Sequence, residues 1–380
     1  MRKKIRFIHW SDSHLGFFRF NKSNSQGINQ RMMDFQDSFV KSVDHIIERK
    51  PDFTIHSGDI FETPYPPNRS RKLVNEQLKR LDDSNIPTIV LSGTHELPRT
   101  KKDIHVFKLI TGLKNIYMVT EPEKVELNIN GQLICIYCVP YSTNFSEMEH
   151  WFLDTVAEEK DPNAYNFLVL HADVAGVAQL EHGINIIRLP NDIGEKFDYV
   201  ALGHFHTYHP WCGKDNVIYA GSTDKKNFDE GDEDKYIHEV ILNDGKVKVE
   251  NIKLDVRPVH RFTVDLTEYK DVGLAEDAIR KLKSKIKDGS VVQVILRASF
   301  ELYKSLNLKS AYDWFPQVLY VETPWEELVI AQQKDIMALN VAGNLVNEWK
   351  VFLNVKDEDR VMKKWLAEKG EEKLKLIIGE

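Results

Sequence analysis

Short apolar runs alternate with longer helical patterns along the first 256 residues of the chain. We predict strands at the short runs, which occupy residues 5–10, 53–56, 88–91, 167–170 and 199–202. Apolar residues three to four positions apart predict a helix at about 30–49, and a proline-rich connection can begin another near Asn68. Short alternating strands follow from Asn115 to Pro140, with Asn130-Gly131 as a hairpin turn.

The pattern changes twice after residue 256. Residues 261–266 and 290–298 are typical of strands on either side of an amphipathic helix at 273–287, and the chain from Pro324 onward is typical of helices. Strands in series with intervening helices indicate an α/β protein, here an α/β/β/α sandwich in which helices flank two sheets. We predict three parts: an α/β domain over residues 1–256, a small α+β domain over 257–322, and a helical segment over 323–380.

Each of the five predicted strands leads into a short segment with acid or imidazole residues. These segments are Asp12-Ser13-His14, Gly58-Asp59, Gly93-Thr94-His95-Glu96, Leu170-His171 and Gly203-His204-Phe205-His206. Loops at the carboxyl ends of strands share one edge of an open α/β sheet, so the segments can converge there. Carboxylates with imidazoles suit ions such as Mn²⁺, Fe²⁺ or Zn²⁺. The sequence therefore predicts a two-metal phosphoester hydrolase.

The chemistry of such a hydrolase suggests a role for each residue. Two cations about 3.5–4 Å apart supply a nucleophile and neutralise the phosphate, and a shared carboxylate must hold the pair. Asp59 is our prediction for that carboxylate, because it lies after the central strand and is alone in its segment. We assign Asp12, His14 and His206 to one metal and His171 and His204 to the other. His95 remains to protonate the leaving alkoxide or to stabilise the transition-state charge.

Composition restricts the class of protein. The 380 residues carry a formal net charge of −7, which argues against coating nucleic acid by bulk electrostatics. Three cysteines give no disulfide framework, and Cys135 and Cys138 lie three apart on a predicted strand, as two core thiols on opposite faces. The amino terminus leads into a strand rather than a signal peptide, and no apolar run approaches a membrane span. We expect a cytoplasmic protein without membrane association.

Charge is nevertheless clustered locally. Basic residues lie in the loops just after three of the motif segments: Arg19, Lys22, Arg69, Arg71, Arg99 and Lys101. Because these loops leave the predicted catalytic edge, we predict that they bind a nucleic-acid backbone. The alternative is solubilising charge scattered over the surface. The acidic run at 229–234 is typical of a solvated loop.

The five segments resemble the calcineurin-like metallophosphoesterase superfamily, whose pattern is D-x-H, G-D, G-N-H-[DE], H and G-H-x-H. Within it, the chain is most similar to the SbcD-type double-strand-break repair nucleases. The similar stretches are residues 11–16, 57–61, 170–171, 201–206 and 219–222, and the resemblance covers residues 1–256. It implies a nuclease that processes DNA ends with two divalent ions. Mn²⁺ is the expected metal, with Fe²⁺, Mg²⁺ and Zn²⁺ as alternatives.

The resemblance also implies partners. It makes 257–322 a capping domain and 323–380 a segment that docks on the coiled-coil base of an SbcC-type ATPase. It further implies a homodimer, formed through helices expected at about 68–82 and 102–113. Their apolar residues are Leu73, Leu78, Leu81, Phe107, Leu109 and Ile110. The alternative is that these residues pack against the chain's own sheet.

Two positions depart from the family pattern. Thr94 occupies the place of an asparagine whose carbonyl can ligate the second metal, and a threonine hydroxyl is a weaker neutral donor. Glu62 stands where family members often have a histidine, and it cannot act as a cation at neutral pH. Three functions therefore stay open: a DNA nuclease, a small-molecule phosphodiesterase or phosphatase, and a DNA-end-binding scaffold with weakened catalysis.

Overall fold

The structure is a computed structural model, and it describes residues 2–327 except 101, 178–185, 232 and 244. Helices and strands are numbered in chain order. They begin with β1 Ile5–Trp10, α1 Gln30–Arg49, β2 Phe53–His56, α2 Asn68–Asp83, β3 Thr88–Leu91, β4 Ile116–Val119, β5 Glu123–Ile129, β6 Gln132–Val139 and α3 Phe145–Ala157. They continue with β7 Tyr165–His171, β8 Asp173–Val174, β9 Ile186–Ile187, α4 Ile193–Lys196, β10 Tyr199–Gly203, β11 His209–Pro210 and β12 Val217–Tyr219. The last are β13 Lys235–Asn243, β14 Lys246–Leu254, β15 Val259–Asp265, α5 Val272–Arg280, β16 Val291–Ala298, α6 Phe300–Ser305, α7 Ala311–Trp314, β17 Tyr320–Glu322 and β18 Trp325–Glu327.

Two six-stranded sheets form the main body. The first has the order β14-β13-β1-β2-β3-β4 and the second β11-β12-β10-β7-β6-β5. Strands β1 to β4 run parallel to their neighbours in that series, as do β6, β7, β10 and β12 in the second sheet. Parallel strands end at the same edge, so the segments after β1, β2 and β3 lie close together, as do those after β7 and β10.

The core lies between the two sheets. Phe7 stacks on Phe53 with ring centroids 4.9 Å apart, and the Phe167 ring from the second sheet lies 5.0 Å from that of Phe7. Helices α1 and α2 cover the outer face of the first sheet, and α3 covers the outer face of the second. The predicted α/β/β/α sandwich is confirmed. Among the described residues, no helix is long and apolar enough to cross a bilayer.

Strand β6 shows how the two faces are used. Cys135 packs in the core under α3, whereas Cys138 packs between the sheets. Both thiols are buried and free. The prediction of two core thiols on opposite faces is confirmed.

The prediction of a helix at about 102–113 is wrong. The described residues there contain only a 3₁₀ turn, Val106–Leu109. Apolar residues two positions apart cannot share one helix face, and accordingly Phe107 is 2% exposed while Leu109 is 55% exposed. Leu78, Leu81 and Phe107 are buried against the chain's own first sheet, with Leu73 and Ile110 partly buried beside them. Dimerisation through this region stays a prediction.

Contacts divide the chain into two compact units. Of the described residues, the first contains 2–264, Gly273–Ile295 and Asn307–Pro324, and the second contains Asp265–Val272, Leu296–Leu306 and 325–327. In the second unit, the Trp325 ring stacks on that of Tyr303 at 5.4 Å. The three predicted domains stay a prediction. Only residues 323–327 of the predicted helical segment are described, and Trp325–Glu327 form a strand.

Candidate metal centre

Tight turns at the strand ends aim the motif side chains at one point. Asp12, His14 and Asp59 have φ angles of 52°, 46° and 55°, a left-handed conformation that costs a residue with a side chain about 1–3 kcal/mol. The turns are bonded to each other, since the amide of Asp12 donates to the Gly58 carbonyl at 2.9 Å and that of His14 to the Asp59 carbonyl at 3.0 Å. Such strain persists only where the surrounding structure holds it, and it is common at functional sites.

Glycines let the segments approach each other closely. A Cβ atom at Gly58, whose φ is 118°, would lie 2.1 Å from Nδ1 of His171. A Cβ atom at Gly93 would lie 2.3 Å from Oδ1 of Asp59. Both contacts are impossible, so packing around the site requires glycine at the first position of G-D and at the first position of G-T-H-E.

The predicted ligands converge in two groups that meet at Asp59. In the first group, Asp12, His14 and His206 offer ligand atoms within 4.8 Å of one another, and Asp59, His171 and His204 do so in the second. Asp59 also lies within that distance of His14 and His95. The carboxylate of Asp59 therefore stands between the two positions, where a shared ligand of two ions has to be.

Each imidazole of the two groups has an oxygen atom near the ring nitrogen that faces away from the centre, and for His171 and His206 this contact is a hydrogen bond. These pairs are His14 Nδ1 with Glu62 Oε2 at 2.9 Å, His206 Nδ1 with Glu230 Oε1 at 3.3 Å, His171 Nδ1 with the Ser57 carbonyl at 2.9 Å, and His204 Nε2 with Asp173 Oδ1 at 3.1 Å. Metal-binding histidines characteristically donate their second N–H to such partners, which fixes the ring and its tautomer.

Electrostatics also suit cations. Burial lowers the pKa of His14 to about 4, which leaves a neutral imidazole with a free lone pair. Burial alone would raise the pKa of Asp59, but the neighbouring His171 outweighs it and holds that pKa well below its usual value. In turn, Asp59 outweighs the effect of burial on His171 and raises its pKa to about 9. With carboxylates, oriented imidazoles and a fixed spacing, the donor set fits two divalent ions.

Thr94 lies beside the second group of ligands, and His95 lies on the side of the centre that is open to solvent. The hydroxyl of Thr94 is 3.1 Å from Nε2 of His171 and 3.1 Å from Nδ1 of His204, so it occupies the expected place of the family asparagine. His95 donates from its backbone to Oδ1 of Asp59 at 2.8 Å, and its Nδ1 bonds the Glu62 carbonyl at 2.8 Å. Its side chain is 35% exposed, which leaves Nε2 accessible from solvent.

Several residues around the centre were not predicted from the sequence. Glu230 belongs to the acidic run expected in a solvated loop, yet it is 6% exposed and orients His206, so the prediction is wrong at this residue. Glu96 is fully buried and accepts hydrogen bonds from the amides of Phe61 and Gly93. Burial and nearby Asp59 raise its pKa well above the usual value. The acid ending the G-T-H-E segment was the available signal for Glu96.

The predicted nucleic-acid contacts have varied surroundings. All five described members already have partners: Arg19 lies over the rings of Phe20 and Phe228, Lys22 over Tyr312, Arg99 over Tyr65, while Arg69 bonds Gln36 and Arg71 bonds Asn68. Lys101 lies outside the described residues. Nucleic-acid binding by this set stays a prediction.

Comparison with known families agrees with this geometry. The family described as calcineurin-like phosphoesterase matches residues 5–208. The chain belongs to the calcineurin-like phosphoesterase family. Its members are metal-dependent phosphoesterases, so the enzyme class and the dinuclear divalent centre predicted from the motifs are confirmed.

Two curated archaeal proteins are similar to the chain, both named DNA double-strand break repair protein Mre11. The one from Methanococcus maripaludis is 28% identical over 223 residues, which are 58% of this chain and 57% of the relative. The one from Methanocaldococcus jannaschii is 28% identical over 289 residues, 74% of this chain and 75% of the relative. A solved dimetal phosphatase from Danio rerio has 9% identity and a TM-score of 0.37, covering 66% of this chain and 96% of its own.

Proposed function

We propose that the chain is a two-metal DNA nuclease that processes DNA ends in double-strand-break repair. The observation that carries the proposal is the convergence of all five motif segments on the shared carboxylate of Asp59. Similarity to two double-strand-break repair proteins supports DNA as the substrate. A phosphodiester of the DNA backbone has the charge and the leaving oxygen that this site can serve.

When bound, the two ions supply Lewis-acid activation of water and charge neutralisation on the phosphate. Asp12, His14 and His206 would hold one ion, Asp59 would be shared, and His171 with His204 would hold the other. Within this chain, His95 protonates the leaving oxygen. Its Nδ1 bonds the Glu62 carbonyl, which leaves Nε2 on the open side to carry the transferred proton. The Glu62 carbonyl therefore sets the direction in which the proton is delivered.

The finer parts of the proposal are the metal and the partners. We propose Mn²⁺ as the native ion, with Fe²⁺, Mg²⁺ and Zn²⁺ as alternatives, because a mixed carboxylate and imidazole set suits the ions of intermediate hardness. We also propose a homodimer and an SbcC-type ATPase bound by the segment 323–380, of which 328–380 lie outside the described residues. We also propose a cytoplasmic location for the protein.

A cleavage assay on the full chain tests the proposal. End-labelled duplex and single-stranded DNA, and bis-p-nitrophenyl phosphate in parallel, are incubated with the protein and Mn²⁺. We expect cleavage of DNA by the parent chain and none by Asp59→Asn, which loses the shared ligand. Cleavage of bis-p-nitrophenyl phosphate without cleavage of DNA would instead identify a small-molecule phosphodiesterase. Absence of both activities with every metal offered would overturn the nuclease proposal.

A further inference from the structure

The two metal positions are supported unequally by the residues behind them. Behind the position of Asp12, His14 and His206, each histidine contacts a glutamate that is itself paired with a lysine. We call these two chains of contacts the Lys226 relay, which runs Lys226–Glu62–His14, and the Lys235 relay, which runs Lys235–Glu230–His206.

The Lys226 relay places a carboxylate and an ammonium group beside Nδ1 of His14. Oε2 of Glu62 lies 2.9 Å from Nδ1 of His14 and 2.8 Å from Nζ of Lys226. Nζ of Lys226 also lies 3.4 Å from Nδ1 of His14, so the lysine contacts both the carboxylate and the imidazole. Nε2 of His14 faces Nε2 of His206 at 3.0 Å, inside the first group of ligands.

The Lys235 relay supports His206 through a hydrogen bond from Nδ1 to Glu230 Oε1 at 3.3 Å, and it is more deeply buried than the Lys226 relay. Nζ of Lys235 lies 2.6 Å from Oε2 of Glu230, and the two side chains are 2% and 8% exposed. The lysine also donates to the His206 carbonyl at 2.9 Å, which holds the backbone as well as the ring.

Glu230 joins the two relays. Its Oε1 accepts the backbone amides of Lys226 at 3.2 Å and Asn227 at 3.1 Å. The carboxylate that orients His206 therefore also holds the segment that carries Lys226 to Glu62. The relays form one connected network behind a single metal position.

The second position lacks this support. His171 donates to a neutral carbonyl, that of Ser57, and a carbonyl raises the basicity of an imidazole less than a carboxylate does. His204 has a carboxylate partner, Asp173, which is 23% exposed and pairs with no lysine or arginine within the described parts of the chain. The neighbouring hydroxyl of Thr94 is a weak neutral donor.

We propose that the Lys226 and Lys235 relays make the Asp12–His14–His206 position the tighter of the two, so that metal fills it first, and that Glu62 and Glu230 act as positioning residues for it. Glu62, which departs from the family pattern, then increases the metal affinity of the first position. Thr94, the other departure, lowers the metal affinity of the second. This inference rests on the metal centre of the proposed function and is independent of DNA as the substrate.

Titration of the metal-free full chain with Mn²⁺, followed by isothermal calorimetry and by the electron paramagnetic resonance signal of the bound ion, tests the proposal. We expect two unequal binding steps in the parent. His206→Ala removes the tighter step and His204→Ala the weaker one, which assigns each step to its position. Glu62→Ala weakens the tighter step about 10–100-fold, the range seen for lost outer partners of metal ligands, and spares the weaker step.

Conservative variants separate positioning from folding. Glu62→Gln keeps an acceptor oxygen for His14 and should lose less affinity than Glu62→Ala, and Lys226→Met should weaken the same step. Glu239→Gln is the matched control. Glu239 pairs with Arg49 at 2.9 Å and contacts none of the predicted metal ligands in the described structure, so this variant should leave both binding steps unchanged. Melting temperatures of the metal-free variants identify any that fail to fold, and the remaining variants of the set then decide.

Three results would overturn the proposal: two equal steps in the parent, a tighter step that depends on His204, or an equal loss in both steps after Glu62→Ala. Because no DNA is present, a failure here is distinct from a failure of the nuclease assay.

Discussion

At the residue scale, Thr94 is one of two positions where this site departs from the motif pattern of its family. Its hydroxyl lies 3.1 Å from ring nitrogens of both His171 and His204. An asparagine would place a carbonyl oxygen, a stronger donor for a divalent ion, at the same point. We expect Thr94→Asn to tighten the weaker Mn²⁺ step roughly tenfold, about 1.4 kcal/mol, as measured by calorimetry. Thr94→Val, which removes the hydroxyl at similar volume, should shift the same step in the opposite direction, and an unchanged step in both variants would contradict this role.

His95 provides the corresponding test of proton delivery. It touches Asp59 only through its backbone amide at 2.8 Å, while Nε2 stays 3.9 Å from that carboxylate. We expect His95→Ala to lower kcat on DNA about 10²–10⁴-fold, the usual contribution of a general acid, and to leave Mn²⁺ binding nearly unchanged. His150→Ala removes an exposed histidine on α3 and is the control. A loss of metal affinity equal to the loss of rate would identify His95 as a ligand instead.

At the scale of elements, α1 is joined to the segment before β15 by a buried charge network. Asp34 on α1 bonds Arg31 and Arg257 at 2.6 Å, and Arg31 also bonds Asp224 at 2.9 Å. Burial would raise the pKa of Asp34, but Arg257 and Arg31 outweigh burial and lower it. A carboxyl whose pKa is lowered on folding stabilises the protein above its unfolded pKa, and that contribution is lost as the pH falls through the folded value.

We therefore expect Asp34→Asn to lower the free energy of unfolding by about 1.5–3 kcal/mol at pH 7, because Arg31 and Arg257 each lose a charged hydrogen-bond partner while Arg31 keeps Asp224. The difference between parent and variant should begin to shrink as the pH falls below about 3.9, the ordinary carboxyl pKa, and should be smallest once the pH has fallen through the lowered pKa of Asp34 in the folded parent. Urea denaturation across this pH range measures it. The exposed pair of Asp44 with Arg80 supplies the control, since Asp44→Asn should cost less than about 1 kcal/mol.

The elements also show what the sequence could reveal. The bounds of β1, α1, β2 and β3 were predictable because their apolar periods are long or sharply ended by motif residues. The turn at Val106–Leu109 was not predictable, because its apolar residues follow neither the helical nor the strand repeat and pack individually. The partners Glu230, Lys235 and Asp173 were also out of reach. They meet the ligands across the fold, as in the contact of Glu230 with His206, without any fixed spacing to the motifs.

At the scale of the whole molecule, metal binding should stabilise the fold. The site is assembled from strands of both sheets, so ions bind the folded chain and not the unfolded one. At a Mn²⁺ concentration 100 times the Kd, one site adds about 2.7 kcal/mol to the free energy of unfolding. We expect Mn²⁺ to raise the Tm of the parent and chelation to lower it, measured by differential scanning calorimetry. The Asp59→Asn variant should show a smaller rise, and an equal rise would place the stabilising ions elsewhere.

The placement of the ligands across two sheets has one more consequence. Asp12, His14 and Asp59 follow strands of the first sheet, whereas His171 ends a strand of the second sheet and His204 and His206 follow another. Each of the two ligand groups draws on both. Neither position can therefore capture an ion until the sheets have docked, and metal affinity becomes a report on that docking. A defect in the core between the sheets, far from any ligand, would therefore lower metal affinity first, and the enzyme would lose activity before it unfolded.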